Sequence, residues 1–344
     1  MLISDRLKKK MDLNTFPLHP DYSSNDVTMN IEISSKCNQL CIYCIYSTMG
    51  VHSKGKFIDE DLFYRLTKEA YELGIRNIGL YSAGEPLLNP KIYDYIRYLK
   101  ELGFSYVYVS TNGILCTPEN FKKLIDAGID SVKFTISSCE RENYKRHHGV
   151  DSFELVKNNI EFAGKYRREN SIDVKLFIFT VLTKYNQHEK EDITKMFGEY
   201  VDEILFTNVV DGVFSMKGLK EYLYVDKSDY FLTGGDIKLP CHELFNRVNV
   251  DVDGYLCVCC LINHDMTKIA DLNKVSLDEG LNGKEFVELR QRHLNGDISN
   301  TICNRCINNI KEMINPLSSD IGVKAAYIDD LDRVDEIEKR FNIV

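Results

Sequence analysis

Short runs of β-branched and aromatic residues alternate with amphipathic stretches from residue 27 to about residue 210. These runs predict six strands, at residues 27–34, 77–83, 106–112, 131–137, 174–182 and 203–210. Helical patterns fill the intervals, and several end at a glycine, as at Gly74, Gly103 and Gly128. Strands that alternate with helices pair in parallel through right-handed crossovers, so the pattern predicts an α/β fold. In such folds the chemistry gathers at the carboxyl ends of the strands.

The periodic pattern ends near residue 235, where a cysteine-bearing stretch begins. A chain of 344 residues with 44% hydrophobic residues can form one large domain with an appendage, or two domains. We expect an N-terminal extension, a βα-repeat domain, a cysteine-bearing domain and a helical tail, at residues 1–26, 27–235, 236–312 and 313–344. The acidic tail could cap the main domain or mediate self-association.

Charge and composition exclude some classes of partner. The formal charge of -9 disfavours binding to nucleic acid. The sequence has no apolar run of membrane-spanning length and no secretory signal, so we expect a cytoplasmic protein without a membrane partner. In a reducing compartment, eleven cysteines favour thiolate metal sites over disulfides.

Three of these cysteines stand close together directly after the first predicted strand. Cys37, Cys41 and Cys44 are separated by three and then two residues. One short loop can bring three such thiolates to a single cluster. Structural zinc sites and electron-transfer clusters need four ligands, so three cysteines leave one metal position open for chemistry. A zinc knuckle or a chance group of buried thiols is the alternative.

The motif resembles that of the radical S-adenosylmethionine (radical SAM) superfamily. The resemblance implies a [4Fe-4S] cluster on these three cysteines, with SAM bound at the open iron. It also implies a partial (β/α)6 barrel of the TIM type. The strand and helix pattern alone leaves a doubly wound sheet equally open.

Segments at the predicted strand ends resemble the SAM-binding segments of that family. Ser82-Ala83-Gly84-Glu85-Pro86 is similar to its GGEP segment, with Ala83 in place of the first glycine, and Glu85 would then complement the SAM ammonium group. The resemblance implies SAM contacts for further residues, namely Tyr43, Ser110, Asn112, Ser137 and Ser138. Each segment alone is more often a simple turn, but their order behind the cysteine motif favours a SAM site.

The segment from Tyr144 to Phe153 departs from the family pattern. His148 occupies the position at which similar chains often carry an arginine, so Arg146 could clamp the SAM carboxylate instead. His147, His148 and Glu85 are candidates for a catalytic base. For His147 an ordinary surface histidine is the alternative interpretation, and His148 could serve the substrate instead.

A second cysteine set lies in the C-terminal third. Cys241, Gly254 and Cys259, followed by Cys303 and Cys306, resemble the SPASM/twitch auxiliary-cluster pattern. No cysteine follows Cys306, which favours the twitch form with one further [4Fe-4S] cluster. Cys257 or Cys260 could replace Cys259, and zinc is the alternative metal. The Asp253-Gly254 pair predicts a hairpin turn between the first two of these cysteines.

The cysteine spacing resembles that of 2-deoxy-scyllo-inosamine dehydrogenases. This resemblance implies oxidation of a hydroxyl-bearing carbon of a sugar or aminocyclitol, with the auxiliary cluster accepting an electron and a flavodoxin or ferredoxin-like protein reducing the first cluster. One alternative is a maturase that epimerises or crosslinks a ribosomal peptide, with Cys139 as hydrogen donor. Another is an iron-sulfur or zinc protein without catalytic activity.

Overall fold

The structure is a computed structural model that describes residues 16–24, 27–48, 55–209, 239–259, 267–308, 317 and 334–341. Nine strands of this part form one sheet in the order β6-β5-β4-β3-β2-β1-β7-β8-β9. Their bounds are β1 Thr28–Ile31, β2 Asn77–Leu80, β3 Tyr106–Thr111, β4 Ser131–Thr135, β5 Lys175–Leu182, β6 Glu203–Asn208, β7 Arg247–Val250, β8 Tyr255–Cys257 and β9 Lys268–Asp271. Each of the six predicted strands is therefore present, shortened by one to four residues.

The same residues form twelve α-helices. Their bounds are α1 Ile45–Thr48, α2 Glu60–Glu72, α3 Ile92–Leu102, α4 Pro118–Asp126, α5 Arg141–His148, α6 Phe153–Glu169, α7 Lys190–Phe197, α8 Glu243–Asn246, α9 Leu277–Leu281, α10 Lys284–Leu294, α11 Ile302–Asn308 and α12 Val334–Phe341. Local sequence explains their ends. The Thr117 side chain caps α4 by accepting from the Asn120 N–H, with Pro118 at the first helical position. No helix within this part is long and apolar enough to cross a membrane.

The first six strands are parallel, and their two faces differ in exposure. Along β3, Val107 and Val109 are fully buried, whereas Tyr106, Tyr108 and Ser110 between them are half-exposed. Successive side chains of a strand point to opposite faces, so the apolar set packs into the main core and the polar set lines the other face. We call the face that carries Tyr108 the inner face. This arrangement agrees with the predicted partial barrel.

The C-terminal cysteine region continues the same sheet. β7 pairs in parallel with β1, with Thr28 opposite Arg247 and Ile31 opposite Val250. β8 and β9 then add antiparallel strands. Gly254 has φ 84° in the turn between β7 and β8, which confirms the predicted hairpin.

A fully buried arginine ties the segment before β1 to the C-terminal helices. Arg290 on α10 donates to the carbonyl oxygens of Leu244 and Leu281, both at 2.9 Å, and to the Tyr22 hydroxyl at 2.7 Å. Its charge is thus dispersed over three acceptors rather than left unpaired in the core.

Candidate active site

The cluster loop, residues 37–44, follows β1 and is held by its backbone. The Leu40 and Ile42 N–H groups donate to the carbonyls of His148 and His147, at 2.9 and 2.8 Å. Gly149, with φ 72°, lies so close that a Cβ atom there would stand 2.6 Å from the Leu40 oxygen. The end of α5 therefore fixes the position of the loop.

The three thiols of this loop lie in one partly buried group. Burial raises the pKa of Cys37 to about 12. Burial also raises the pKa of Cys41 well above its ordinary value, with added contributions from the nearby Cys44 and Cys37. Within the described residues, no group of three or more cysteine, histidine or carboxylate side chains is arranged so as to hold a metal ion. The donor set still fits a cluster, because iron ligation supplies the positive charge that converts such buried thiols to thiolates.

His148 binds a sulfur of this loop. The backbone N–H of Ser137 can only donate, and it lies 3.1 Å from His148 Nε2, which is therefore the unprotonated nitrogen. Nδ1 then carries the proton and faces Gln39 Oε1 at 3.0 Å and Cys41 Sγ at 3.4 Å. Burial lowers the pKa of His148 to about 3. The His148 side chain is therefore a neutral hydrogen-bond donor to Cys41. A donor at this position can orient the cysteine as a metal ligand.

His147 is fully buried, and both of its ring nitrogens have protein partners. Nδ1 lies 2.8 Å from the Asn143 carbonyl oxygen and Nε2 lies 2.8 Å from the Thr183 hydroxyl. Burial lowers its pKa to about 4. These contacts place His147 in the packing between α5 and the end of β5. Arg146, the preceding residue, is half-buried on the same helix.

Tyr43 and Ser137, predicted to contact SAM from two distant segments, are brought together. The Tyr43 hydroxyl lies 2.9 Å from Ser137 Oγ. Burial raises the pKa of Tyr43, so its hydroxyl stays protonated. The cluster loop is thereby linked to the carboxyl end of β4.

The segment after β2 approaches the same loop. A Cβ atom at Gly84 would lie 2.2 Å from the Ser34 oxygen, so glycine permits close approach to the chain's own backbone. Glu85 donates its N–H to the Lys36 carbonyl at 2.7 Å, and its buried carboxylate caps the turn that begins at Pro86. Ser82, two residues before Gly84, is half-buried.

Burial raises the pKa of Glu85 to about 7, against the effect of its hydrogen-bond donors Asn112, Thr111 and Leu87. Asn112 also extends to the cluster loop, donating through Nδ2 to Asn38 Oδ1 at 2.6 Å. Ser110 is half-exposed on the inner face.

Cys139 faces a buried carboxylate. Its thiol donates to Glu189 Oε2 at 3.2 Å, and the same oxygen accepts from the Cys139 N–H and the Ser138 hydroxyl. Burial, with the contact to Glu189, raises the pKa of Cys139 to about 12. Cys139 is therefore a protonated thiol, which is the form that can donate a hydrogen atom.

The helix α12 lies against the cluster loop. Phe341 stacks on Tyr185 with ring centroids 3.8 Å apart and shares a small apolar cluster with Ile42 and Ile337. Arg340 donates to the Leu40 carbonyl at 2.8 Å. The predicted capping role of the tail agrees with this contact.

The second cysteine set also contains neighbours. Burial raises the pKa of Cys241, with Cys303 and Cys306 among the charged neighbours. Cys259 is half-buried after β8. Cys257 has different charged neighbours, Asp251, Lys268 and Glu32. Cys260 lies outside the described residues. Thiols that are already close and buried suit an iron-sulfur or zinc site.

Sequence reasoning missed several residues of this region. Gln39 contacts His148 from within the cysteine motif, and Asn30 and Asn249 face one another on β1 and β7. For the two asparagines the available signal was a polar amide between two apolar residues in each strand, Met29 and Ile31 in β1 and Val248 and Val250 in β7. Arg340 carried no signal, because its contact depends on where the tail returns.

Comparison with known proteins agrees with the two cysteine regions. A sequence model of the radical SAM superfamily matches residues 31–197, and one of an iron-sulfur cluster-binding domain matches residues 241–307. An uncharacterized protein of Methanocaldococcus jannaschii is 33% identical over 182 residues, which is 53% of this chain and 57% of that protein. A probable GTP 3',8-cyclase of Methanococcus maripaludis is 25% identical over 71% of this chain and 88% of its own.

A solved structure has a similar fold. Native anSMEcpe with bound AdoMet and the Cp18Cys peptide matches with a TM-score of 0.60 and 16% identity, over 92% of this chain and 99% of that chain. At this identity the match supports the arrangement of strands and helices and carries no information on substrate.

Proposed function

The chain belongs to the radical SAM superfamily and carries a second iron-sulfur domain, and from this premise we propose that it oxidises a hydroxyl-bearing carbon of a sugar or aminocyclitol-like substrate. When bound, SAM and the first cluster supply a 5'-deoxyadenosyl radical that removes a hydrogen atom from carbon. The protein's residues hold the cofactors, orient the substrate and exclude water.

The cysteine loop and the strand ends around it support the cofactor assignment. Cys37, Cys41 and Cys44 would ligate the [4Fe-4S] cluster, with His148 donating to Cys41. The predicted SAM-binding residues from four segments converge on this loop, namely Tyr43, Glu85, Asn112 and Ser137. We propose three further SAM contacts from residues that are half-buried and lie close in the sequence to this set, namely Ser82, Ser110 and Arg146.

The observation that carries the oxidative proposal is the pairing of β7 with β1. β1 leads into the cluster loop, and the hairpin after β7 leads through β8 to Cys259. The first cysteine set and two of the auxiliary cysteines, Cys241 before β7 and Cys259 after β8, therefore flank strands of one hydrogen-bonded sheet. Such an arrangement fixes their separation, as a one-electron transfer requires. With four cysteines, Cys241, Cys259, Cys303 and Cys306, the auxiliary cluster has no open position and is suited to accept an electron.

A redox-neutral reaction on a peptide is the second candidate, and Cys139 is the observation that favours it. Its thiol is held protonated next to Glu189. Epimerisation requires a hydrogen atom from such a donor after the carbon radical forms. The electron donor in either case would be an external flavodoxin or ferredoxin-like protein.

GTP is also tested as a substrate, because the Methanococcus maripaludis relative is named a probable GTP 3',8-cyclase. Anaerobically reconstituted enzyme is incubated in heavy water with an aminocyclitol, with GTP or with a peptide. A product two hydrogens lighter supports oxidation. One solvent deuteron fixed at carbon, with activity lost in Cys139→Ala, overturns it in favour of epimerisation.

The double variant Cys303→Ala/Cys306→Ala tests the electron acceptor. With the first cluster intact by iron content, it should transfer deuterium from the substrate carbon to 5'-deoxyadenosine without forming the oxidised product. Normal yield of oxidised product in this variant would contradict the assigned role of the auxiliary site.

A further inference from the structure

A hydrogen-bonded ladder crosses the inner face from β3 to β7. The Tyr108 hydroxyl donates to Asn30 Oδ1 at 2.9 Å, and Asn30 Nδ2 donates to Asn249 Oδ1 at 2.8 Å. Tyr108 passes over Gly79 on β2, where a Cβ atom would lie 2.4 Å from the Tyr108 ring. The absence of a side chain at Gly79 is what lets the ladder form.

The ladder ends at a polar atom without a protein partner. Asn249 is 3% exposed, and its Nδ2 has no hydrogen-bond partner in the structure. An unsatisfied buried donor of this kind costs roughly 1–3 kcal/mol. A free donor at the end of an otherwise satisfied ladder points to a ligand that supplies the missing partner.

Charged side chains follow Asn249 and Asn30 along the ends of the two paired strands. Asp251 directly follows the last residue of β7. Glu32 lies beside it, because the Glu32 N–H continues the β1–β7 pairing by donating to the Val250 carbonyl at 2.9 Å. Lys268 lies 3.3 Å from Asp251. Burial raises the pKa of Cys257; the charges of Asp251 and Glu32 raise it further, whereas the charge of Lys268 lowers it. The four side chains therefore form one cluster, at the end of the ladder.

We propose that Asn249 and Glu32 form a subsite for a hydroxyl group of the substrate, an inference that rests on the proposed function. The oxygen of a substrate hydroxyl can accept a hydrogen bond from Asn249 Nδ2 while its O–H group donates a hydrogen bond to the Glu32 carboxylate. It can also satisfy the Asn249 amide in either of its two orientations. An anionic group would be repelled by the Glu32 carboxylate, since Lys268 pairs with Asp251 and the three charges sum to one negative charge. An apolar group would leave the amide unpaired. The ligand class is a polyhydroxylated compound, neutral or amine-bearing.

The location suits a substrate of this enzyme class. Glu32 stands at the carboxyl end of β1, just ahead of Cys37 in the sequence, and Asn249 lies opposite Cys257 on the hairpin that leads to Cys259. A hydroxyl held here lies on the part of the sheet that joins the two cysteine regions. In the proposed oxidation the carbon would give a hydrogen atom to the 5'-deoxyadenosyl radical and an electron to the auxiliary cluster, and the hydroxyl proton would pass to the Glu32 carboxylate.

Isothermal titration of the reconstituted, SAM-loaded enzyme tests the subsite. The probes are scyllo-inositol, glucosamine and, as the anionic counterpart, glucuronate. Asn249→Asp keeps the acceptor of the ladder but removes the free donor, and Glu32→Gln removes the charge. Each should weaken binding of scyllo-inositol by about tenfold or more. The matched control Asn273→Asp, at an exposed residue in the turn after β9, should bind as the wild type does. Glucuronate should bind at least tenfold more weakly than glucosamine.

Equal affinity of the wild type and both variants overturns the subsite, as does failure of both polyols to bind the wild type. Iron content and melting temperature establish that each variant is folded, and either isosteric variant alone decides the question if the other misfolds. Polyol binding that depends on Asn249 without any oxidised product preserves the subsite and overturns the proposed oxidation. If wild type and Asn249→Asp form the oxidised product equally well, the proposed oxidation is preserved and the subsite is overturned.

Discussion

The carboxylate of Glu85 accepts a hydrogen bond of 2.7 Å from the backbone N–H of Asn112, which joins the turn after β2 to the end of β3. Its other oxygen accepts from the Thr111 hydroxyl at 2.7 Å and from the Leu87 N–H at 3.0 Å. Glu85 therefore organises two of the predicted SAM-binding segments at once, whatever direct contact it makes with SAM.

Glu85→Gln should weaken SAM binding by about tenfold, because an amide NH2 group would replace one of two carboxylate oxygens that accept hydrogen bonds. Iron content should not change. Isothermal titration with SAM measures the effect, and Glu119→Gln on the exposed start of α4 is the control. Unchanged affinity would remove Glu85 from the SAM site.

Replacing Cys37, Cys41 and Cys44 together by Ala should remove one [4Fe-4S] cluster and abolish reductive cleavage of SAM. The auxiliary cysteines should retain their own cluster, since none of the replaced residues belongs to the auxiliary set. Iron and sulfide analysis after anaerobic reconstitution measures this. Zinc in either site, or iron for only one cluster in the unmodified protein, would contradict the assignment.

His148→Phe should lower the reduction potential of the first cluster. The imidazole N–H faces Cys41 Sγ at 3.4 Å, and a donor to a ligating sulfur stabilises the more negative, reduced cluster. SAM cleavage should slow by about tenfold. A potential titration followed by electron paramagnetic resonance reports the shift, with His188→Phe on the surface as control. An unchanged potential would limit His148 to a packing role.

The buried histidines should make the protein less stable in mild acid. Burial lowers the pKa of His147 to about 4, so the unfolded chain, with an ordinary value near 6.5, binds the proton more readily. The contribution of neutral His147 to the free energy of unfolding is fully present above pH 6.5. It is lost as the pH falls toward 4, with a slope of about 1.4 kcal/mol per pH unit.

His147→Gln should flatten that slope by about one proton, whatever its effect on stability at pH 7. Urea unfolding between pH 7 and pH 5 provides the measurement. An identical slope in wild type and variant would show that His147 does not titrate differently in the folded state.

Phe341→Ala should detach α12 from the cluster loop, because it removes the ring that stacks on Tyr185 and packs against His147. The exposed cluster should then bleach several-fold faster in air, which absorbance follows directly. Leu155→Ala, at an exposed apolar residue, is the control. Equal bleaching rates would mean that α12 does not shield the loop.

The six strands of the first domain could be predicted because each is a short apolar run bounded by turn residues. Cys37, Cys41 and Cys44 could be predicted from spacing, since a short loop confines them. The ladder from Tyr108 to Asn249 could not, because it depends on which strand lies beside β1. Only the fold brings residue 30 next to residue 249.

The histidines illustrate a second limit. His147 and His148 are adjacent in the sequence and both are candidates for a base, yet one contacts Thr183 and the other contacts Cys41. Their direction depends on the phase of α5 against the cluster loop. Hydrophobic patterning in so polar a helix does not determine that phase.

The pairing of β7 with β1 also has a mechanical consequence for the chain. Without β7, the hydrogen-bonding groups of Thr28–Ile31 on that side would form an open edge, the kind of surface that recruits strands from other molecules. The region that holds the auxiliary cysteines thus also covers the edge of β1, the strand that leads into the cluster loop. An N-terminal fragment that ends near residue 235 would lose β7 and the auxiliary cysteines together. Because the edge of β1 would then be exposed, this fragment should self-associate rather than remain a smaller monomeric enzyme.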